Sequence, residues 1–274
     1  VHQEEALLKE GGKISRQVTM KKIIFFVAFA AVSYTSYSQS LGYEDLSTMF
    51  SRNDRNGSAR FVAMGGAFGA VGGDVTAMTI NPAGISIFND SNASIAFQSR
   101  STDYLTTYYG NSTTTQQDFF KVSNAGVVFT FNNYTSDEWS KLAMGINYRV
   151  LADFEDTFIA KGTSGFASFD NFPLDNSENP LVYDIADNQQ LSNFYNGDMS
   201  ELSFAFSGVY EEKMHVGAGL NFYDLNFSQQ TILRENNNDG NNNTLNARLY
   251  QENFTTGVGF SLSAGVIYKP TNAF

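Results

Sequence analysis

Cysteine is absent from the 274 residues, and proline (4), histidine (2) and tryptophan (1) are scarce. Without cysteine there can be no disulfide, thiolate metal site, cysteine nucleophile or lipid-modified N-terminal cysteine. Charge is also thin, at 16% against the roughly 25% of a typical soluble domain. Basic residues are the scarcer sign, 17 against 28 acidic, giving a net charge of -11. Nucleic-acid binding needs Lys and Arg to neutralise phosphates, so no nucleic-acid partner is expected. Long apolar stretches are lacking too. The unbroken run at residues 23–32 is half the ~20 residues that a helix needs to cross a bilayer. What the chain has instead is 25 Phe and 14 Tyr with a mean hydropathy of -0.25, so its apolar content is dispersed.

Residues 20–40 read MKKIIFFVAFAAVSYTSYSQS: a methionine, two lysines, an apolar run, then small and polar residues. This is the pattern of a secretory signal peptide, with cleavage expected between Ser38 and Gln39. Residues 1–19 carry mixed charges and read as a non-structural upstream segment. An exported, acidic, aromatic-rich chain without cysteine points to the bacterial outer membrane or periplasm.

From about Ala93 onward the apolar residues recur at every second position, the spacing that gathers them on one face of a strand. In residues 142–150, Leu142, Met144, Ile146, Tyr148 and Val150 alternate with Ala143, Gly145, Asn147 and Arg149. The same period runs through Ala125, Val127, Phe129 and Phe131; Leu202, Phe204 and Phe206; Val216, Ala218, Leu220 and Phe222; and Phe260, Leu262, Ala264, Val266 and Tyr268. A soluble sandwich alternates as well, but its outer face would be rich in Lys, Glu and Thr. Here the second face is small and neutral, which predicts an all-β transmembrane antiparallel β-barrel with an apolar exterior and a polar lumen. The connections are expected to alternate long outer loops (110–117, 161–199, 228–245) with short turns (133–140, 211–213, 269–272). Tyr108, Tyr109, Trp139, Tyr148, Phe158, Tyr210 and Tyr268 fall near strand ends, where amphipathic rings suit a lipid interface. About six strands are predicted. Six are too few to close a barrel, so the chain reads as an incomplete barrel, with Ala273 and Phe274 beginning a seventh strand.

Residues 39–92 break this pattern and contain SARFVAMGGAFGAVGGDVTAMTINPAGIS at 58–86. Its Ala59-Arg60, Met64-Gly65-Gly66-Ala67-Phe68, Asp74 and Asn81-Pro82-Ala83-Gly84 resemble the FadL-type family of outer-membrane transporters for long-chain fatty acids and other hydrophobic compounds, a family whose members in related bacteria are often labelled haemin receptors. The resemblance is close over 58–86 and loose beyond. It implies a 14-stranded barrel closed by an N-terminal hatch (39–92), outer loops that catch substrate, and sideways exit through a wall opening made by a kinked strand. It also implies that Asn81, Pro82 and Ala83 form the hatch motif, with the expected structural role of holding the lead-in to the first strand. The glycines 65, 66, 69, 72 and 73 carry neither a Gly-Lys-Ser/Thr sequel nor GxGxxG, and so read as close backbone packing rather than a phosphate loop.

His215, on the polar face of its strand, is a lumen polar residue or, beside a serine, part of a lipid enzyme; no serine is placed along the strand to pair with it. Residues 235–246 imitate a calcium loop, but begin with Glu235 and end with Asn246 where a bidentate glutamate is needed. In 161–199, Phe166, Phe169, Phe172, Leu174, Leu181 and Tyr183 form a candidate ligand-capture loop amid six acids. Arg100 and Arg149, on polar faces, either meet a carboxylate head group or pair with lumen acids. The expectation is therefore an outer-membrane uptake protein for hydrophobic small molecules, monomeric, in contact with outer-membrane lipid, with no enzyme activity, metal or cofactor. The alternative is a general porin or a surface receptor such as a haemin receptor.

Overall fold

The computed structural model describes residues 42–52, 54–133, 138–172 and 181–270, and every element falls within the unit Tyr43–Phe274. The signal segment 20–38, Leu174 and the stretch 271–274 lie outside the described residues. The N-terminal segment holds helices α1 (Tyr43–Ser51) and α2 (Ala59–Ala63) and two 3-10 turns, Thr76–Thr79 and Pro82–Ile87. Strands follow: β1 (Asn92–Tyr108), β2 (Asn111–Asn132), β3 (Trp139–Asp153), β4 (Asp156–Gly162), β5 (Asn171–Phe172), β6 (Leu181–Val182), β7 (Ile185–Tyr210), β8 (Met214–Asn238) and β9 (Thr244–Tyr268). The protein is mostly antiparallel β-sheet.

Seven strands form one sheet in the order β1-β2-β3-β7-β8-β9, with β4 continuing along β7 beyond the end of β3. The six columns correspond to the six alternating segments of the sequence. Burial runs opposite to that of a soluble domain. On β3, Leu142, Met144 and Ile146 are exposed, whereas Ala143, Gly145, Asn147 and Arg149 are buried. On β7, Phe206 is exposed while Ser203, Ala205 and Ser207 are buried. The inner, small-residue face is covered by the N-terminal segment: Val75, Met78 and Ile85 form one buried cluster with Val128, Ala143 and Ala205 of the sheet.

The connections are shorter than the sequence led us to expect. The β1–β2 link is the pair Tyr109-Gly110, both at positive φ, and residues 111–117 belong to β2. Residues 161–162 end β4 and residues 185–199 belong to β7, leaving an excursion of 163–184. The β8–β9 link is residues 239–243 rather than 228–245. The physical reason is common to all three. A strand keeps its backbone ladder without needing apolar side chains, so Thr, Gln and Asn mark the end of an apolar face and not the end of a strand. The Glu211–Lys213 turn stands as expected, with Glu211 and Glu212 at positive φ; residues 134–137 of the 133–140 turn lie outside the described residues.

Trp139, Tyr210 and Tyr268 occupy one level across β3, β7, β8 and β9, where Trp139 pairs with Tyr210, Tyr210 with Met214 and Met214 with Tyr268. The Trp139 and Tyr210 rings meet edge to face at 5.3 Å.

Candidate functional site

The Asn81-Pro82-Ala83 motif lies against the far strands of the sheet, away from β1. Asn81 Oδ1 accepts from Ala83 N at 3.0 Å and starts the second 3-10 turn, while its Nδ2 donates to Gly69 O at 2.6 Å and to Val266 O of β9 at 3.4 Å. The seat is a strip without side chains. A Cβ on Gly265 would lie 1.8 Å from Asn81 Oδ1, and one on its ladder partner Gly217 would lie 2.4 Å from Ala83 N. Gly126 and Gly145, on β2 and β3, make the same room for Val75 and Met78. The contacts seen for the motif dock the N-terminal segment onto β8 and β9.

His215 is buried on the inner face, as a lumen-type polar residue would be, but it has a serine. Ser86 Oγ lies 2.8 Å from His215 Nδ1, and Ser207 Oγ donates within 2.9 Å of Ser86 Oγ. The reading along the strand missed this because Ser86 comes from the N-terminal segment and Ser207 from β7. Ser86 is fully buried and also lies within hydrogen-bond reach of Ala83 O, at 2.9 Å. Among the described residues no carboxylate bonds the ring. Through Ser86, Ser207 and His215 the N-terminal segment is hydrogen-bonded to β7 and β8.

Arg149 pairs with Glu201, its cross-strand neighbour, at 2.5 Å in a buried site. It also lines a cavity of about 490 Å³ with Arg55, Phe61, Gly66 and Ile80, between the N-terminal segment and the sheet. Arg55 Nη1 is held by Gly65 O at 2.7 Å.

The ladder between β2 and β3 stops at Asn124 and Arg149. Beyond it β3 shifts register between Val150 and Ala152, ends at Asp153, and resumes as β4 at Asp156. Beyond this point β2 pairs with β1 alone, and β3 and β4 with β7 alone, which leaves a seam in the sheet. The break is built in place. Phe154 N donates to Gly197 O at 3.0 Å, Asp153 Oδ1 accepts from Glu155 N at 2.9 Å, and Leu151 O accepts from Asp54 N of the N-terminal segment at 2.7 Å. Gly197, at φ +120°, is obligatory there because a Cβ would lie 2.1 Å from Asn226 O. Side chains span the seam instead of a ladder: Lys121 Nζ reaches Asp153 at 2.7 Å and Glu155 at 2.9 Å, and Arg100 Nη2 donates to Glu155 O at 2.6 Å. Of the two arginines weighed from the sequence, both therefore meet acids or carbonyls of the chain itself. On the outer face the seam is flanked by exposed Phe97 and Phe120, stacked at 5.5 Å.

Inside, aromatic rings run from β4 to the break. Phe158 neighbours Tyr195 (6.3 Å), Tyr195 stacks on Phe227 (6.2 Å), Phe227 meets Phe154 (5.7 Å), and Phe50 of α1 touches both Phe154 and Phe227. Phe158, expected at a lipid interface, instead joins this inner run; the run itself is not visible in the sequence, since its rings come from β4, β7, β8, the β3–β4 break and α1.

Residues 163–169, after β4, fold back on the sheet. Glu235, buried on β8, accepts from Ser168 N (2.9 Å), Phe169 N (3.2 Å), Gln189 Nε2 (2.6 Å) and Asn237 Nδ2 (3.3 Å). Desolvation raises its pKa, but those donors together outweigh it and hold the carboxyl below its ordinary value. Glu235 is thus an internal anchor and not the first ligand of a cation loop. Of the capture-loop candidates, Phe166, Phe172 and Leu181 are exposed, Phe169 is half-buried and Tyr183 is buried.

These features define a class: an antiparallel sheet with an apolar exterior, a small-residue interior and an N-terminal segment seated inside. No protein-family model matches the chain, and neither the curated proteins nor the solved structures give a match.

Proposed function

We propose that the chain is the N-terminal part of an outer-membrane β-barrel that takes up hydrophobic small molecules, with residues 39–92 as its hatch and the β2/β3 seam as its side exit. The observation that carries this reading is the seam. In lipid every backbone group needs a partner, so a break in a ladder beside outward-facing Phe97 and Phe120 is costly unless it serves passage.

The outer face supports a membrane setting. Apolar outward residues run from the Trp139, Tyr210 and Tyr268 level up to Tyr148, Phe222 and Phe260. At ~3.3 Å per residue and a tilt of ~40°, that interval is roughly 20–25 Å, close to the ~25 Å apolar band of such barrels. Above it the outward positions of β8 turn polar at Asp224, Asn226 and Ser228, whereas beside the seam the outward positions of β1 and β2 stay apolar at Phe97, Phe120 and Val122, which keeps that part of the wall in contact with lipid. Exposed Phe166, Phe172 and Leu181 lie at the outer end, where ligand is caught. The aromatic run Phe158, Tyr195, Phe227 and Phe154 then offers an apolar route down to the seam. Sideways release suits an aliphatic ligand, which gains about 0.8 kcal/mol per methylene on leaving water.

Native mass spectrometry of the protein from its full reading frame, extracted from the outer membrane, tests the reading. A co-purifying fatty acid or similar amphiphile is expected. Bound haem would support a receptor instead, and a ligand-free protein that conducts ions steadily in planar bilayers would support a porin.

A further inference from the structure

The seam lacks ladder hydrogen bonds yet is shut on its inner side by four charged residues. Lys121 of β2 lies between Asp153 and Glu155 at 2.7 and 2.9 Å, and Arg100 of β1 lies 3.9 Å from Asp153 while donating to Glu155 O. Both cations sit over the ring of buried Phe119, at 5.0 and 4.9 Å from its centroid. The ring fixes where the cations wait, since a cation is attracted to an aromatic face. The acids are fixed by the break itself: Asp153 is buried and caps Glu155 N, and flanking Phe154 is wedged among Phe50 and Phe227.

The two halves of this cluster belong to separately hydrogen-bonded parts of the sheet, the β1–β2 hairpin and the β3–β4–β7 wall. The upper seam is also bridged by Tyr104 Oη donating to Asp156, Thr106 Oγ1 donating to Ile159 O at 2.6 Å and Ile159 N donating to Thr115 Oγ1 at 3.1 Å; the ion pairs are the bridges in which both partners are charged side chains. About a third of the Lys121 and Glu155 side-chain surfaces remains exposed. Partly exposed ion pairs are weak and exchange readily with water, whereas a backbone ladder in lipid does not open without leaving groups unpaired. A closure made of side chains is therefore the part of this wall able to open and reclose.

We propose that Arg100 and Lys121 act as an electrostatic clasp on Asp153 and Glu155 that holds the β2/β3 seam closed at rest, so that loss of the clasp moves the β1–β2 hairpin away from β4. This rests on the reading of the seam as an exit only for its biological purpose; the clasp itself is a statement about the wall.

The 274 residues hold no cysteine, and any cysteine elsewhere in the full-length protein is first replaced by serine, so that introduced cysteines report alone. In the full-length protein in lipid nanodiscs, spin labels at Asp103→Cys on β1 and Lys161→Cys on β4 read the seam, and labels at Asn188→Cys and Arg248→Cys read the intact β7–β8–β9 ladder. Lys121→Met, which keeps the chain length and removes the charge, is expected to shift the seam distances longer and broaden them, with the β7–β9 pair unchanged. Lys121→Arg is expected to keep the narrow distribution. An unchanged seam in Lys121→Met, with the control pair showing a folded sheet, overturns the clasp. Transfer of a pyrene-labelled fatty acid into the surrounding lipid separates the two ideas. A widened seam with unaltered transfer keeps the clasp and removes the exit; fast transfer through an unmoved seam removes the clasp and keeps the exit.

Discussion

At Gly265 the effect of one methyl group is set by Asn81, whose Oδ1 would lie 1.8 Å from the new Cβ. Gly265→Ala should destabilise the seat of the N-terminal segment by about 1–3 kcal/mol, the usual range for overpacking. Limited proteolysis within residues 58–86 measures it, and combining it with Asn81→Ala should cost less than the sum of the two, since both act on one contact. The Arg149–Glu201 pair makes a second prediction at this scale. Removing either partner alone leaves a buried charge, so Arg149→Met should cost about 3–5 kcal/mol in urea unfolding, and Arg149→Met with Glu201→Met should recover much of it. These residues also mark where reading along the chain stops. His215 and Arg149 could be assigned to the inner face from period-two spacing alone. Their partners Ser86 and Glu201 could not, because strand spacing says which face a side chain takes and nothing about what stands opposite.

Among the elements, β3, β7, β8 and β9 were legible wherever they carry an apolar face, as in Leu142, Met144 and Ile146 against Ala143, Gly145 and Asn147. Their upper halves were not, because residues such as 228–238 have no apolar face to alternate. The break between β3 and β4 was equally silent: Asp153, Phe154 and Glu155 read as ordinary residues until Gly197 and Asp54 are placed beside them. The 163–184 excursion gives the prediction for this scale. Glu235 has its folded pKa held down by its donors, so the stability it lends is present above the unfolded carboxylate pKa and is lost as pH falls through the lower folded value. Protection of the Ser168 and Phe169 amides, measured against the intrinsic exchange rate at each pH, should therefore fall on acidification through that window, and Glu235→Gln should abolish the pH step while lowering protection at neutral pH. Replacing the exposed Phe166, Phe172 and Leu181 by serine, which keeps the Glu235 anchor, should weaken ligand uptake and leave the sheet as heat-stable as before; unchanged uptake would remove the capture role.

For the whole molecule, the inverted burial of β3 and β7 together with the seated N-terminal segment predicts a closed conductance state. The full-length protein should give no steady current in planar bilayers, and Gly217→Val, which drives a side chain into the Pro82–Ala83 backbone, should raise it by loosening the seat. The glycine strip has a further consequence, in time rather than space. Asn81 reaches Val266 across 185 residues of chain, so the place where the N-terminal segment rests does not exist until β8 and β9 have been made and aligned. Contacts this distant in sequence form late because the loop between them must first be closed. The N-terminal segment, synthesised before the strands that seat it, is thus the last to settle. Its many glycines and short helical turns suit a segment that must wait unstructured until β8 and β9 are aligned.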